Sequence, residues 1–108
     1  MTPEKKVKVK VVAMLKAAGV YWFYPVMGGY GSSGVPDIVG CCNGKFFAVE
    51  CKSGGNKPTA LQLKNLAQIQ ESGGYTLVVN EQNLDSVGEL LAFLEKEDPN
   101  GFHARRNG

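Results

Sequence analysis

Asp37-Ile38-Val39-Gly40-Cys41-Cys42-Asn43-Gly44-Lys45-Phe46-Phe47-Ala48-Val49-Glu50-Cys51-Lys52 reads as two strands joined by a two-residue turn. Asn-Gly between strand-like runs is a strong hairpin signal, because the favoured turn needs positive φ at both central residues. With Asn43 and Gly44 as the turn, Cys42 stands opposite Lys45. Carried down the ladder, the same register sets Asp37 opposite Glu50. Directly opposed side chains on one face have Cβ atoms roughly 4.5–5.5 Å apart. Side chains alternate along a strand, so Lys52 shares the face of Glu50. Two carboxylates that close repel each other and destabilise a sheet. A divalent cation between them would remove the conflict. The hairpin is therefore expected to carry a metal site with a lysine beside it. The competing reading is a surface hairpin whose acid pair is satisfied by salt bridges to lysine.

Outward from the hairpin, the rest of the chain falls into a simple order. Thr2-Pro3-Glu4 opens a helix with a capping threonine, a proline at the first helical position and an acid in the first turn. Val7, Val11, Met14, Leu15 and Ala18 then follow at helical spacing, and Gly19 stops the helix. Tyr21–Val26 is aromatic and β-branched and predicts a strand. Met27–Pro36, rich in glycine and serine, predicts a mobile loop where a substrate backbone could come close. After the hairpin, Ser53–Pro58 is a polar loop containing Lys57. Thr59 and Gln62 form a capping-box pattern. The helix they start is expected to reach about Ser72, with Leu63, Leu66, Ala67 and Gln70 as its stripe. Gly73-Gly74 ends it. Tyr75–Asn80 predicts a short buried strand. Asp85 or Ser86 is expected to cap a last helix that turns Val87, Leu90, Leu91 and Leu94 inward. The order is αβββαβ with a further helix, which predicts an α/β fold with a mixed sheet flanked by helices. One domain is expected over residues 1–98, followed by a flexible tail over 99–108.

Composition narrows the function classes. The chain has 108 residues and a formal net charge of only +2, so it is no polycation. A nucleic-acid role needs its positive charge gathered on one face or doubled in an oligomer. The three cysteines, Cys41, Cys42 and Cys51, all fall in predicted strands and suggest small buried hydrophobes in a reducing compartment rather than a disulfide framework. No apolar run approaches the ~20 residues that span a bilayer. No signal-peptide pattern opens the chain, which predicts a cytoplasmic protein without a membrane partner.

Asp37 and Glu50 offer hard oxygen ligands, which suit Mg2+ or Mn2+. The Cys51 backbone carbonyl, between Glu50 and Lys52, is a candidate third oxygen. Lys52 is placed to orient or deprotonate a water, or to neutralise charge developing on a phosphate.

Pro36-Asp37 followed by Glu50-Cys51-Lys52 resembles the PD-(D/E)XK nuclease signature, and the element order matches the restriction-endonuclease-like core of that superfamily. Gly34-Val35-Pro36-Asp37, Phe47-Ala48-Val49-Glu50-Cys51-Lys52 and Pro58-Thr59-Ala60-Leu61-Gln62 together resemble the VRR-NUC (virus-type replication-repair nuclease) family, from about Glu4 to Leu94. The resemblance implies metal ligation by Asp37 and Glu50, a catalytic Lys52, and Gln62 turned towards the same site. Gln62 also has a purely structural reading as the capping-box residue. Glu4 matches the acid that such nucleases often carry on the first helix, as a further metal ligand. Tyr30, Ser32, Ser33 and Lys57 are candidate DNA contacts: hydroxyl, N–H and ammonium groups for phosphates, and a ring for an unpaired base. For the first three a loop tip without a role is an equal reading. The resemblance further implies a metal-dependent, structure-specific DNA endonuclease. In stand-alone members this means a homodimer that resolves Holliday junctions. A flap- or nick-directed nuclease and a non-catalytic DNA-binding module remain the alternatives. The strand Tyr21-Trp22-Phe23-Tyr24 serves either the core or a dimer surface, and the tail arginines Arg105 and Arg106 are candidate phosphate contacts.

Overall fold

The computed structural model describes residues 1–25 and 34–96. In chain order they form α1 (Pro3–Ala18), β1 (Tyr21–Phe23), β2 (Ile38–Cys42), β3 (Lys45–Cys51), α2 (Ala60–Glu71), β4 (Tyr75–Val79) and α3 (Asp85–Glu95). This is the order expected of a restriction-endonuclease-like core. The sheet runs β1-β2-β3-β4. β1, β2 and β3 are antiparallel neighbours, while β3 and β4 are parallel and joined through α2.

The hairpin holds in its predicted register. Cys42 pairs with Lys45, and Ile38 with Val49. Asn43 and Gly44 both take positive φ, 52° and 79°, as a primed turn requires. Asn43 and Lys45 also donate from their side chains to the Leu94 carbonyl at the end of α3, each at 3.0 Å. The turn is thereby tied to the C-terminus of a helix, where unpaired carbonyls favour a cation.

Strand alternation divides the sheet into two faces. Ile38, Cys42, Phe47, Val49, Cys51 and Val79 point to one side and pack against Val7, Val11, Val12 and Leu15 of α1 and Val87, Leu91 and Leu94 of α3. The opposite face carries Val39, Cys41, Phe46, Ala48 and Glu50. There α2 lies across β4, with Gln70 of the helix bonded to the Thr76 hydroxyl. Gly40 is buried at the centre of β2. A Cβ at that position would sit 2.3 Å from the Tyr21 carbonyl and 2.6 Å from the Phe47 ring, so any side chain there would push β1 and the core apart.

Several details depart from the sequence reading. β1 stops at Phe23 instead of Val26, before Pro25, which has no N–H to give the ladder. The buried residue of α2 is Leu66, while Leu63, Ala67 and Gln70 are exposed. On α1, Val12 is buried where Ala18 was expected, and Ala18 is exposed. α3 has no side-chain cap: Leu84 occupies the cap position and Asp85 lies inside the first turn, favourable for the helix dipole. Cys42 and Cys51 are buried as expected, but Cys41 is exposed because it faces the uncovered part of the sheet. Thr2, Gly19, Thr59 and Gln62 cap their helices as read. Most of the glycine-rich loop and the C-terminal tail lie outside the described residues. No helix among the described residues is long and apolar enough to cross a membrane.

Candidate active site

Three elements converge at one end of the sheet: the start of β2, the end of β3 and the first turns of α1. Asp37 stands immediately before β2. Its approach is fixed by Gly34, whose φ of +92° and close contact with the Leu61 backbone, 2.8 Å from a hypothetical Cβ, exclude other residues. Asp37 Oδ2 accepts a 2.7 Å hydrogen bond from the Cys51 backbone N–H, which ties the end of β3 to the aspartate.

Glu50 is 2% exposed and is the one buried charged residue in the described core. Its Oε2 is 3.7 Å from Lys52 Nζ, and its Oε1 is buried with no hydrogen-bond partner among the described residues. Burial raises the Glu50 pKa from 4.5 to about 7, and the Asp37 charge pushes it the same way. Lys52 opposes the shift without cancelling it, and the charge of Glu4 adds to it. A shared proton would let the two carboxyl groups hydrogen-bond, whereas two ionised carboxylates have no donor between them. The expected side-by-side acid pair is therefore present, and it is electrostatically unsatisfied.

That condition is what a divalent cation fits. Hard oxygens, one of them buried and orphaned, are the donor chemistry Mg2+ and Mn2+ prefer. The described residues contain no cluster of three or more His, Cys, Asp or Glu side chains able to ligate a metal. Asp37 and Glu50 would therefore offer an ion two carboxylates, a donor set that fits a cation keeping several of its waters. Glu4 is close enough to act on Glu50 through its charge but does not complete a third carboxylate position.

The other expected site residues sort as follows. Lys52 lies beside Glu50 with its side chain only 11% exposed. Gln62 forms the capping box: its Oε1 accepts from the Thr59 N–H at 2.8 Å, so the observed role of its carbonyl is structural. The Cys51 thiol is pushed up to about 12, chiefly by burial, so it supplies no thiolate. The observed contact of Cys51 with Asp37 is through its amide. Lys57 is exposed in the loop before α2. That loop is pinned to the one after β4 by the Gly54 N–H, which donates to Glu81 at 2.9 Å. Tyr30, Ser32 and Ser33 lie outside the described residues.

Lys8, which the sequence marks only as one of several positive charges, also reaches the site. Its Nζ is 3.5 Å from Asp37 Oδ1 and 5.7 Å from the centroid of the Tyr24 ring. The signal was available, since Lys8 lies one turn after Glu4 on the same helical face. It was hidden among four other lysines spaced along the first helix.

No protein-family model matches the chain. A 58-residue stretch, 53% of this chain, is 43% identical to the protein named "Putative nuclease p44" of Acyrthosiphon pisum secondary endosymbiont phage 1, and the match spans 62% of that protein.

Proposed function

We propose that this protein is a divalent-metal-dependent endonuclease that hydrolyses phosphodiester bonds in branched DNA, with four-way junctions as its substrate and a two-fold dimer as its working form. The observation that carries this reading is the Asp37–Glu50 pair, in which a buried carboxylate oxygen has no hydrogen-bond partner among the described residues and a lysine stands 3.7 Å away. Likeness to a phage protein named as a nuclease supports the same chemistry. A cation bound there would supply Lewis-acid charge to a phosphate and acidify a water. Asp37 and Glu50 would hold it. Lys52, held close by Glu50, would offset negative charge on the phosphate as it is attacked. Cys51 orients Asp37 through its amide, and Gly34 fixes the approach of the chain.

A dimer is favoured by the uncovered sheet face. Tyr21, Phe23 and Phe46 are 70%, 47% and 45% exposed, and the strand register places them on one side with Cys41. Contiguous apolar surface of this kind marks an interaction site. Two copies bring two cutting centres to the paired strands of a junction.

The test is cleavage of end-labelled four-way junction, flap and linear duplex with Mg2+, Mn2+ or chelator. Paired symmetric cuts in the junction, absent in chelator and in Asp37→Asn, are expected. Cuts confined to the flap would keep the chemistry and overturn the junction assignment. No metal-dependent cut on any substrate would overturn the nuclease reading.

A further inference from the structure

A groove of about 400 Å3 opens beside the carboxylate pair, lined by Met1, Lys5, Lys8, Val9 and Tyr24. Its chemistry differs from that of the pair. The charged side chains on its wall are the two lysines, which lie three residues apart and share a face of α1. Tyr24 is 44% exposed, and its ring is braced edge-on by Trp22, with centroids 5.2 Å apart. Val9, 50% exposed, adds an apolar patch. Lys8 links groove and site, since it touches Asp37 on one side and covers the Tyr24 ring on the other.

Cations beside a braced, exposed ring suit a ligand that is both anionic and flat. A nucleotide with an unpaired base has both properties, whereas a base stacked inside a duplex cannot offer its face. The Lys8–Asp37 contact is partly exposed, 27% and 20% for the two side chains, and such pairs contribute little in water. Lys8 can therefore exchange a carboxylate for a phosphate at small cost. The exchange would uncover the Tyr24 ring and free Asp37 in one movement.

We propose that this groove is a subsite for an unpaired nucleotide of the strand entering the Asp37–Glu50 site: its base stacks on Tyr24 and its phosphates lie on Lys5 and Lys8. The identity of the polymer as DNA rests on the nuclease reading. The subsite would let the enzyme select strands that are open near the cut, as strands are at branch points.

The test is fluorescence anisotropy with the full chain in chelator, so that no cleavage is needed. The probes are a labelled oligothymidine, the same length of abasic strand, and a duplex. Tyr24→Ala is expected to weaken oligothymidine binding about tenfold, within the range of base–aromatic stacking, and to leave abasic binding nearly unaltered. Tyr24→Phe should bind like the parent protein. Lys8→Met should weaken both single strands equally and lower the salt slope by about one. Parent-like binding of oligothymidine by Tyr24→Ala would overturn the proposal. Equal losses on thymidine and abasic strands, or no binding of single strands by the parent, would do the same. The two proposals fail separately. Tyr24-dependent binding without metal-dependent cleavage would keep the subsite and reject the nuclease. Cleavage with Tyr24-independent binding would keep the nuclease and reject the subsite.

Discussion

At pH 8 in chelator, Glu50→Gln is expected to melt higher than the parent protein. The reason is the cost of ionising a buried carboxyl group beside Asp37. The Glu50 pKa is raised from 4.5 to about 7 in the folded state by burial first and Asp37 second. A raised folded pKa contributes stability that is complete below the unfolded value and is lost as pH rises through the folded one. The parent should therefore lose stability between about pH 5 and pH 8, by up to about 3 kcal/mol at roughly 1.4 kcal/mol per pKa unit. Glutamine keeps the shape without the charge and shows no such loss. It also gives up the ion pair with Lys52, but the net upward shift means that burial and repulsion outweigh that pair. In a domain of this size, each kcal/mol corresponds to about 4–8 °C in melting temperature. The order should reverse with saturating Mg2+, which stabilises the protein that binds it. Melting curves at pH 5 and pH 8, with and without metal, check this. A variant less stable than its parent at pH 8 in chelator would mean that Glu50 is well satisfied without metal.

Lys52→Met is expected to lose cleavage by at least about 100-fold at saturating Mg2+ while still binding the ion. Removing one group that stabilises charge in a water-poor site typically costs 10²–10³ in rate. Methionine retains much of the length and apolar stem of a side chain that is only 11% exposed, so the fold should hold. Loss of the ammonium group beside Glu50 removes a repulsion against the cation, so metal affinity should stay or rise. Single-turnover cleavage beside a metal titration separates the two effects. A variant that cleaves at the parent rate would remove Lys52 from the chemistry.

The hairpin was legible because Asn43-Gly44 fixes turn type, turn type fixes register, and register fixes which side chains oppose. Ile38 against Val49 follows from that chain of reasoning, and so does the closeness of Asp37 to Glu50. Capping chemistry was equally readable at Thr2 and Thr59, where side-chain oxygens meet specific backbone N–H groups. The face of α2 was not. Its sequence is apolar on more than one side, and only the position of β4 decides that Leu66 is buried while Leu63 is exposed. Cys41 was misread for a related reason. A strand residue is buried only if something covers its face, and coverage belongs to the assembled fold. The place of Lys8 at the site was not legible because a lysine's role depends on what lies at the end of a long side chain, here an aspartate from a distant part of the chain.

The most direct measurement is titration of Mn2+ into the metal-free protein at pH 8, followed by electron paramagnetic resonance, for the parent and for Glu50→Gln. The parent should take up an ion that Glu50→Gln does not hold, because the buried Glu50 oxygen, without a hydrogen-bond partner among the described residues, is the proposed ligand. Equal uptake by both proteins would contradict a metal centre built on Asp37 and Glu50.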